Sequence, residues 1–298
     1  MSSAPVTKAV IPAAGLGTRL LPCTKSQPKE MLPVGRLPAI QHVVEELFAA
    51  GAQHICMVTG WQKRAIEDHF DVSHGGAKLL GGDDAVGVLA DGGLNHRLFY
   101  IRQAEQRGLG DAVQHAAPFI GSEDFLVALG DSILYSPAEP ILLTRLLAAH
   151  QAADDVFATI AVENVPRQHV VRYGIVDPAG PLAAEGPTLI RDIVEKPTVA
   201  DAPSTFAVAA RYVFSPIIFE ALGRTAPGRG GEIQLTDAVR MLIREGHRCQ
   251  VVPLAAGERR FDIGNYQSYY RAFLDMALAD PQEGEGLRQY LRGRLAES

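Results

Sequence analysis

A glycine-rich turn directly after a short apolar segment is the feature that most constrains this fold. The apolar residues Ala9-Val10-Ile11 are typical of a buried strand, and Ala13-Ala14-Gly15-Leu16-Gly17-Thr18-Arg19 follow them. Glycines let a backbone approach phosphate closely because they carry no Cβ, and successive N–H groups in such a turn form a concave anion site. Arg19 adds a permanently charged planar group suited to phosphate oxygens. The segment therefore predicts an α/β fold that holds a nucleoside triphosphate.

The turn differs from two common phosphate-binding motifs. The spacing G-x-x-x-x-G-K-[ST] of a Walker loop is absent, and Leu20 stands where a dinucleotide fingerprint has its third glycine. A nicotinamide-dependent dehydrogenase would also need an acidic residue at the end of its second strand, where this chain has Val58-Thr59-Gly60. The missing third glycine and the missing acidic residue both disfavour a dehydrogenase.

Strand-like and helix-like segments alternate in the first half of the chain. Strands are predicted at 8–12, 54–59, 97–102 and 125–129, and helices at 39–50, 62–70 and 110–117. This alternation predicts a Rossmann-like, mostly parallel sheet with helices on both faces. Ligands bind at the carboxyl ends of such strands, and Gln103 and Asp131 each follow a predicted strand, as the glycine turn does.

Composition excludes several classes of protein. The formal net charge of -6 argues against general nucleic-acid binding, and the 3 cysteines show no zinc-ligand spacing. No apolar run approaches the ~20 residues that span a bilayer, and the N-terminus lacks the apolar segment of a signal peptide. We expect a cytoplasmic protein with reduced thiols that binds neither membrane nor nucleic acid.

Further short motifs follow the glycine turn in a fixed order along nearly the whole chain. They are PKEMLP at 28–33, IRQ at 101–103, GLG at 108–110, LGD at 129–131, RYGIV at 172–176, VEKP at 194–197, GEIQLTDA at 231–238 and FDIG at 261–264. With AGLGTRLLP at 14–22, this ordered set resembles the sugar-1-phosphate nucleotidyltransferases. Among them it is most similar to the bacterial UTP–glucose-1-phosphate uridylyltransferases.

The resemblance implies a single nucleotidyltransferase domain over residues 1–298. Within it, 1–135 would bind mainly the nucleotide, 136–264 would form a β-rich half that binds the sugar phosphate, and 265–298 would form C-terminal helices. The Gly- and Asp-rich segment 73–95 departs from the family, whose usual segment looks helical and charged. The family also implies a homodimer or homotetramer.

The reaction implied by the resemblance is transfer of UMP from UTP to glucose 1-phosphate with Mg²⁺. An oxygen of the sugar phosphate attacks the α-phosphorus in line, and pyrophosphate leaves. This nucleophile is already an anion, so positioning and charge compensation would supply most of the acceleration. By resemblance, Asp131 and Asp262 are the metal ligands. Two carboxylates with substrate phosphates are a common way to hold Mg²⁺.

The resemblance also assigns residues to each substrate. Arg19, Lys29, Asp131 and Lys196 would be catalytic. The nucleotide would contact Ala13, Ala14, Gly15, Gly17, Thr18, Arg19, Lys29, Glu30, Gln103 and Gly108, with Gln103 and Gly108 reading the base. The sugar phosphate would contact Gly174, Glu195, Lys196, Arg211 and Glu232.

Two alternatives stay open beside the uridylyltransferase. A thymidylyltransferase, or an enzyme for another sugar 1-phosphate, would share Gln103 and the glycine turn, although the PKEML and GEIQLTDA segments favour the uridylyl branch. A non-catalytic sugar-nucleotide-binding protein would be favoured if a metal carboxylate or a phosphate-binding lysine were missing. Asp131, Asp262, Lys29 and Lys196 are all present.

Overall fold

A nine-stranded sheet forms the centre of the computed structural model, which describes residues 5–71, 97–182 and 186–297. The strand order is β5-β4-β1-β6-β11-β8-β12-β10-β9. These strands are β1 (Lys8–Pro12), β4 (His54–Thr59), β5 (Leu98–Arg102), β6 (Phe125–Ala128), β8 (Val156–Asn164), β9 (Gly174–Pro178), β10 (Thr188–Glu195), β11 (Phe206–Phe214) and β12 (Arg248–Pro253). Two small sheets pair β2 (Pro33–Val34) with β3 (Leu37–Pro38), and β7 (Ser132–Tyr135) with β13 (Arg259–Asp262).

Nine α-helices within the described residues surround these strands. They are α1 (Ala39–Ala49), α2 (Arg64–Phe70), α3 (Leu109–His115), α4 (Ala117–Ile120), α5 (Leu142–Gln151), α6 (Ile217–Arg224), α7 (Leu235–Arg244), α8 (Tyr266–Leu278) and α9 (Gly284–Ala296). Short 3-10 helices cover Thr18–Leu20, Lys29–Met31, Arg167–Arg172 and Arg229–Gly231. The predicted helices of the first half are thus present within a few residues of their expected bounds. The Gly- and Asp-rich segment 73–95 lies outside the described residues. The described helices and strands of the first half follow one another in the predicted order.

The alternation of side chains along the first strands builds two apolar layers. Ala9 and Ile11 pack with α1 and α5 on one face of the sheet, whereas Val10 packs with α3 and α6 on the other. Strands β5, β4, β1 and β6 run parallel, so their carboxyl ends meet at one edge. This confirms the α/β class and the helices on both faces. In the second half, by contrast, β11, β10 and β9 pair antiparallel with their neighbours.

The C-terminal helix α8 is fixed against the loops that follow β1. Its N-terminus is capped by the Asn265 side chain, which accepts a hydrogen bond from the Ser268 backbone N–H at 3.1 Å. The Tyr266 hydroxyl donates to the Leu20 carbonyl at 3.0 Å. The predicted pair of terminal helices is therefore present, and the first of them supports the glycine turn. No helix among the described residues is long and apolar enough to cross a membrane.

A β-bulge interrupts β11 where it passes the carboxyl end of β6. The register of β11 against β8 shifts between Val208 and Tyr212, and Ala210 within this interval has a φ of 62°. A left-handed conformation costs an alanine roughly 1–2 kcal/mol, and such strain often lies beside functional sites. The Ala210 carbonyl accepts the Leu129 N–H at 3.2 Å, so the bulge helps to hold the loop that carries Asp131.

Substituting Ala210 with glycine is expected to raise the free energy of unfolding by about 0.5–1 kcal/mol. Glycine relieves the left-handed strain, and part of that gain is offset by the larger entropy glycine has in the unfolded chain. Urea denaturation measures the change. Ala209→Gly is the matched control because Ala209 is equally buried but is not left-handed, and it should destabilise the fold. A loss of stability in Ala210→Gly as large as in the control would contradict the prediction.

Candidate active site

A cleft of about 950 Å³ lies at the carboxyl ends of the parallel strands and is lined by both halves of the chain. Of the residues predicted from sequence, all except Ala13 and Arg211 line it. They are Ala14, Gly15, Gly17, Thr18, Arg19, Lys29, Glu30, Gln103, Gly108, Asp131, Gly174, Glu195, Lys196, Glu232 and Asp262. The order of strands in the sheet thus brings together residues that are far apart in sequence.

The glycine turn after β1 wraps around the side chain of Lys29. Gly17 has a φ of 66°, and its carbonyl accepts a hydrogen bond from the Thr24 hydroxyl at 2.8 Å. A Cβ at Gly17 would lie 3.4 Å from the Cβ of Lys29, and one at Gly15 would lie 3.7 Å from the Lys29 Nζ. Position 17 therefore requires glycine, because its backbone is left-handed. The absence of side chains at Gly15 and Gly17 lets the Lys29 side chain lie against the backbone of the turn.

Asp131 and Asp262 become neighbours through the pairing of β7 with β13. Ser132 pairs directly with Asp262, and the Ile263 N–H donates to the Asp131 carbonyl at 2.8 Å. Burial raises the pKa of Asp262 above its ordinary value, and the negative charge of Asp131 raises it further. Two half-buried carboxylates that disfavour each other's charge form a site suited to a cation.

Lys29 supplies one positive charge to this acidic pair. Its ammonium group forms an ion pair with Asp131. Burial opposes the charge of Lys29, but Asp131 and Glu30 outweigh that effect and raise its pKa to about 12. Burial likewise acts against the charge of Asp131, yet Lys29 holds the pKa of this carboxyl below its ordinary value. Lys29 is therefore positively charged at neutral pH.

Glu30 points to a different partner. Its carboxylate accepts a hydrogen bond from the Lys63 ammonium at 2.7 Å, and both side chains are buried. The pair fixes the segment after Pro28 against α2. Glu30 also lines the cleft, and the 3-10 helix that the pair fixes includes its neighbour Lys29.

The residues around Asp131 and Asp262 fit a magnesium ion. Mg²⁺ is commonly held by one or two carboxylates, with substrate phosphates and water completing its ligands. The Ser132 hydroxyl is buried beside Asp262 in the strand pairing and has no hydrogen-bond partner among the described residues. Such an unsatisfied group favours a site that a polar ligand completes. No cluster of three or more His, Cys, Asp or Glu side chains suited to a metal occurs within residues 5–71, 97–182 and 186–297.

The side chain of Gln103 is fixed by a buried aspartate that sequence reasoning missed. Its amide nitrogen donates to Asp111 at 2.6 Å and to the Gly108 carbonyl at 3.2 Å. Arg107 pairs with the other oxygen of Asp111 at 2.7 Å. These contacts use the amide nitrogen of Gln103, so its amide oxygen is the group left to accept a hydrogen bond from a ligand.

Gly108 is required by a close approach between the two halves. It has a φ of 108°, and a Cβ there would lie 2.7 Å from the Ile233 carbonyl oxygen. The Ile233 N–H donates to the Arg107 carbonyl at 2.7 Å, and its carbonyl accepts the Gly110 N–H at 2.8 Å. The segment GEIQLTDA is therefore joined to the loop that carries the candidate base-reading residues.

Glu195 and Lys196 lie together at the end of β10. Lys196 Nζ is 2.9 Å from Glu195 Oε1, and the other carboxylate oxygen accepts the Thr236 hydroxyl at 2.7 Å. Lys196 has a φ of 44°, and its backbone N–H donates to the Tyr173 carbonyl at 2.9 Å. This left-handed residue turns the chain at the strand end, where both charged side chains border the cleft.

The structure corrects two of the predicted positions. The Arg211 side chain is 0% exposed and does not line the cleft. It pairs with Glu46 of α1 at 2.6 Å and donates to the Ser132 carbonyl at 2.9 Å, so it supports the loop of Asp131 from beneath. Ala13 faces the core rather than the cleft: its side chain packs in the apolar layer beside α1, and its N–H donates to the Val58 carbonyl. Its neighbour Ala14 lines the cleft.

Sequence reasoning also missed Arg260 and Thr236, which line the cleft. Thr236 lies inside the motif GEIQLTDA, so its position gave a usable signal. Arg260 adjoins the motif FDIG and could have been noted as a cation two residues before Asp262. Ser132 and Asp111 gave no comparable signal, because their roles depend on contacts across the fold.

The chain is similar to known proteins over nearly its whole length. The family model described as nucleotidyl transferase matches residues 8–278. A UTP–glucose-1-phosphate uridylyltransferase of Bacillus subtilis is 42% identical over 300 residues, which cover 97% of this chain and 97% of the relative.

Solved structures are also similar to this chain over most of its length. The UTP-bound UGPase from Acinetobacter baumannii is similar with a TM-score of 0.85 at 36% identity, and the match covers 96% of this chain and 98% of that one. A UDP-glucose pyrophosphorylase complexed with UDP-glucose is similar with a TM-score of 0.79 at 35% identity, covering 90% and 97%.

Proposed function

Because the chain belongs to the nucleotidyl transferase family, we propose that it transfers UMP from UTP to glucose 1-phosphate, giving UDP-glucose and pyrophosphate. The observation that carries the proposal is the convergence in one cleft of the glycine turn with Lys29, the Asp131–Asp262 pair and the Glu195–Lys196 pair. A triphosphate, a cation and a sugar phosphate each have a matching group there. The names of the similar proteins supply the identity of the base and the sugar.

The chemistry requires two polyanions to meet in line. An oxygen of the sugar phosphate forms a bond to the α-phosphorus of UTP, and the bond from that phosphorus to the bridging oxygen breaks. The electron pair leaves with pyrophosphate. No general base is needed, because the attacking phosphate oxygen is already an anion. Positioning and charge compensation by fixed groups are then the main sources of acceleration.

On this proposal each group has one task. The glycine turn, Arg19 and Lys29 bind the triphosphate, and Lys29 stabilises charge on the departing pyrophosphate. Lys196 binds the phosphate of the sugar, while Glu195 and the Gly174 backbone bind its hydroxyl groups. When bound, Mg²⁺ would be held by Asp131 and Asp262 and would neutralise charge on the phosphates.

The expected assembly stays a prediction. Large apolar side chains are exposed on the C-terminal helices, among them Tyr270, Phe273 and Tyr290. Exposed apolar patches of this kind often mark protein–protein contacts. They support the predicted homodimer or homotetramer. The cytoplasmic location likewise stays an expectation.

Pyrophosphate release tests the proposed reaction. We expect the purified protein to release it from UTP when glucose 1-phosphate and Mg²⁺ are both present, and not when any one of the three is omitted. A panel of nucleoside triphosphates against several sugar 1-phosphates identifies the preferred pair. Release with TTP far above that with UTP would reject the uridylyl assignment. Binding of UDP-glucose without any pyrophosphate release would favour the non-catalytic alternative.

Gln103→Leu is expected to raise the KM for UTP roughly thirtyfold, because a lost hydrogen bond to a buried polar group costs about 2 kcal/mol. The preference for UTP over CTP should shrink with it, since the amide that reads the base edge is gone. Steady-state kinetics with both nucleotides measure this. Gln151→Leu, at the exposed end of α5, is the control and should keep wild-type constants. An unchanged UTP preference in Gln103→Leu would remove Gln103 from base recognition.

A further inference from the structure

Arg260 is a cleft-lining cation that the proposed roles leave unused. It lies on β13 two residues before Asp262, and its side chain is only 7% exposed. Alternate residues of a strand face the same side, so Arg260 and Asp262 share one face of β13. The guanidinium is therefore close to the candidate cation site while it also borders the open cleft.

The contacts of Arg260 place it between two parts of the site. Its Nε donates to Glu163 at the end of β8 at 2.5 Å, and its guanidinium carbon lies 4.7 Å from the centre of the Tyr173 ring. The Tyr173 carbonyl in turn accepts the backbone N–H of Lys196 at 2.9 Å. Arg260 is thus linked through Tyr173 to the backbone of Lys196, and it lies two residues before Asp262 on β13.

The hydrogen bonds of Arg260 leave part of its donor capacity unused. A guanidinium carries five N–H donors. The contacts of Arg260 with Glu163 both end on one carboxylate oxygen. No other hydrogen-bond acceptor for Arg260 occurs among the residues that the structure describes. A largely buried cation that keeps spare donors beside a cleft is suited to an anionic ligand.

We infer that Arg260 binds the phosphate of the sugar 1-phosphate together with Lys196, an inference that rests on the proposed function. To attack the α-phosphorus, the sugar phosphate must lie near both Lys196 and the Asp131–Asp262 pair. Arg260 lines the same cleft and contacts Tyr173, the residue that pairs with the Lys196 backbone. Its planar fork can donate to two phosphate oxygens in a fixed bidentate geometry that the rotating ammonium of a lysine does not provide. Glu163 and the Tyr173 ring hold the fork in place before the substrate arrives.

A purely structural role makes a different prediction. If Arg260 only joined β13 to β8 through its ion pair, removing either partner would have the same effect. If Arg260 binds phosphate, Glu163→Gln removes the negative charge of the ion pair but keeps an amide oxygen that accepts the Nε–H of Arg260, so the fork stays in place and sugar-phosphate binding is not weakened. Glu163→Gln therefore separates the two roles.

The experiment measures KM for glucose 1-phosphate at saturating UTP, and KM for UTP at saturating glucose 1-phosphate. For Arg260→Gln we expect the first constant to rise about thirtyfold, as the loss of charge-assisted hydrogen bonds implies, and the second to stay within about twofold. Arg260→Lys should give an intermediate rise, because it keeps the charge but loses the fork. Glu163→Gln should not raise KM for glucose 1-phosphate.

Arg259→Gln is the matched control. Arg259 is exposed, pairs with Asp275 at 3.1 Å and lies outside the cleft, so both constants should stay at the wild-type value. A wild-type KM for glucose 1-phosphate in Arg260→Gln, or an equal rise in Glu163→Gln, would overturn the inference. If Arg260→Gln does not fold, a wild-type KM in Arg260→Lys would overturn it. Absence of turnover by the wild-type protein would instead reject the proposed function, and this inference with it.

Discussion

Replacing Asp131 by asparagine is expected to lower kcat about a thousandfold while the chain still folds. Asparagine has the same shape but no charge, so the acidic pair keeps only Asp262 to hold a divalent cation. The backbone contact that joins β7 to β13 does not involve the side chain, because it runs from the Ile263 N–H to the Asp131 carbonyl. The ammonium of Lys29 retains Glu30 and Asp262 as neighbouring negative charges.

Three measurements check this expectation. Pyrophosphate release gives kcat, thermal unfolding followed by circular dichroism tests the fold, and titration with Mn²⁺ alone tests the cation site. Asp192→Asn is the matched control, because Asp192 pairs with Arg240 outside the cleft. It should retain full turnover and cation binding. Wild-type kcat in Asp131→Asn would exclude Asp131 from the cation site.

Lys29→Gln is expected to lower kcat about a hundredfold to a thousandfold, since a fixed charge that stabilises the transition state is lost. The same change should strengthen the binding of a divalent cation by the free protein. In the absence of substrate the Lys29 ammonium neutralises Asp131 and so competes with a divalent cation. Removing that charge should tighten Mn²⁺ binding about tenfold, because like charges repel strongly at a partly buried site.

The combination of slower turnover and tighter cation binding distinguishes Lys29 from a residue that only stabilises the fold. Lys25→Gln is the matched control, because Lys25 is exposed in the same loop and does not line the cleft. Both its kcat and its Mn²⁺ affinity should match the wild type. Mn²⁺ binding that is unchanged or weaker in Lys29→Gln would show that the lysine does not compete for the carboxylate.

Most of the fold and the cleft could be predicted because their signals are local. The apolar residues Ala9-Val10-Ile11 required a strand buried on both faces, and Gly17 supplied the left-handed turn that follows. Segments that end parallel strands meet at one edge of a sheet, so the residues after β1, β5 and β6 could be expected to converge. The structure places the glycine turn, Gln103 and Asp131 together at that edge.

The remaining features depend on contacts between distant segments. The sequence presents Arg211 as one more cation beside a strand, but only the packing of α1 beneath β11 provides Glu46 and makes Arg211 a buried support. The position of Gln103 depends on Asp111, and that of Arg260 on Glu163 and Tyr173.

By itself, then, the sequence determined the strands, the helices, the phosphate-binding turn and the set of charged groups, because backbone conformation and apolar periodicity are written in neighbouring residues. Only the tertiary structure decided which charges face the cleft and which are buried in pairs. The reason is that a charged side chain is stabilised by whatever partner the folded chain brings to it, and the order of residues does not specify that partner.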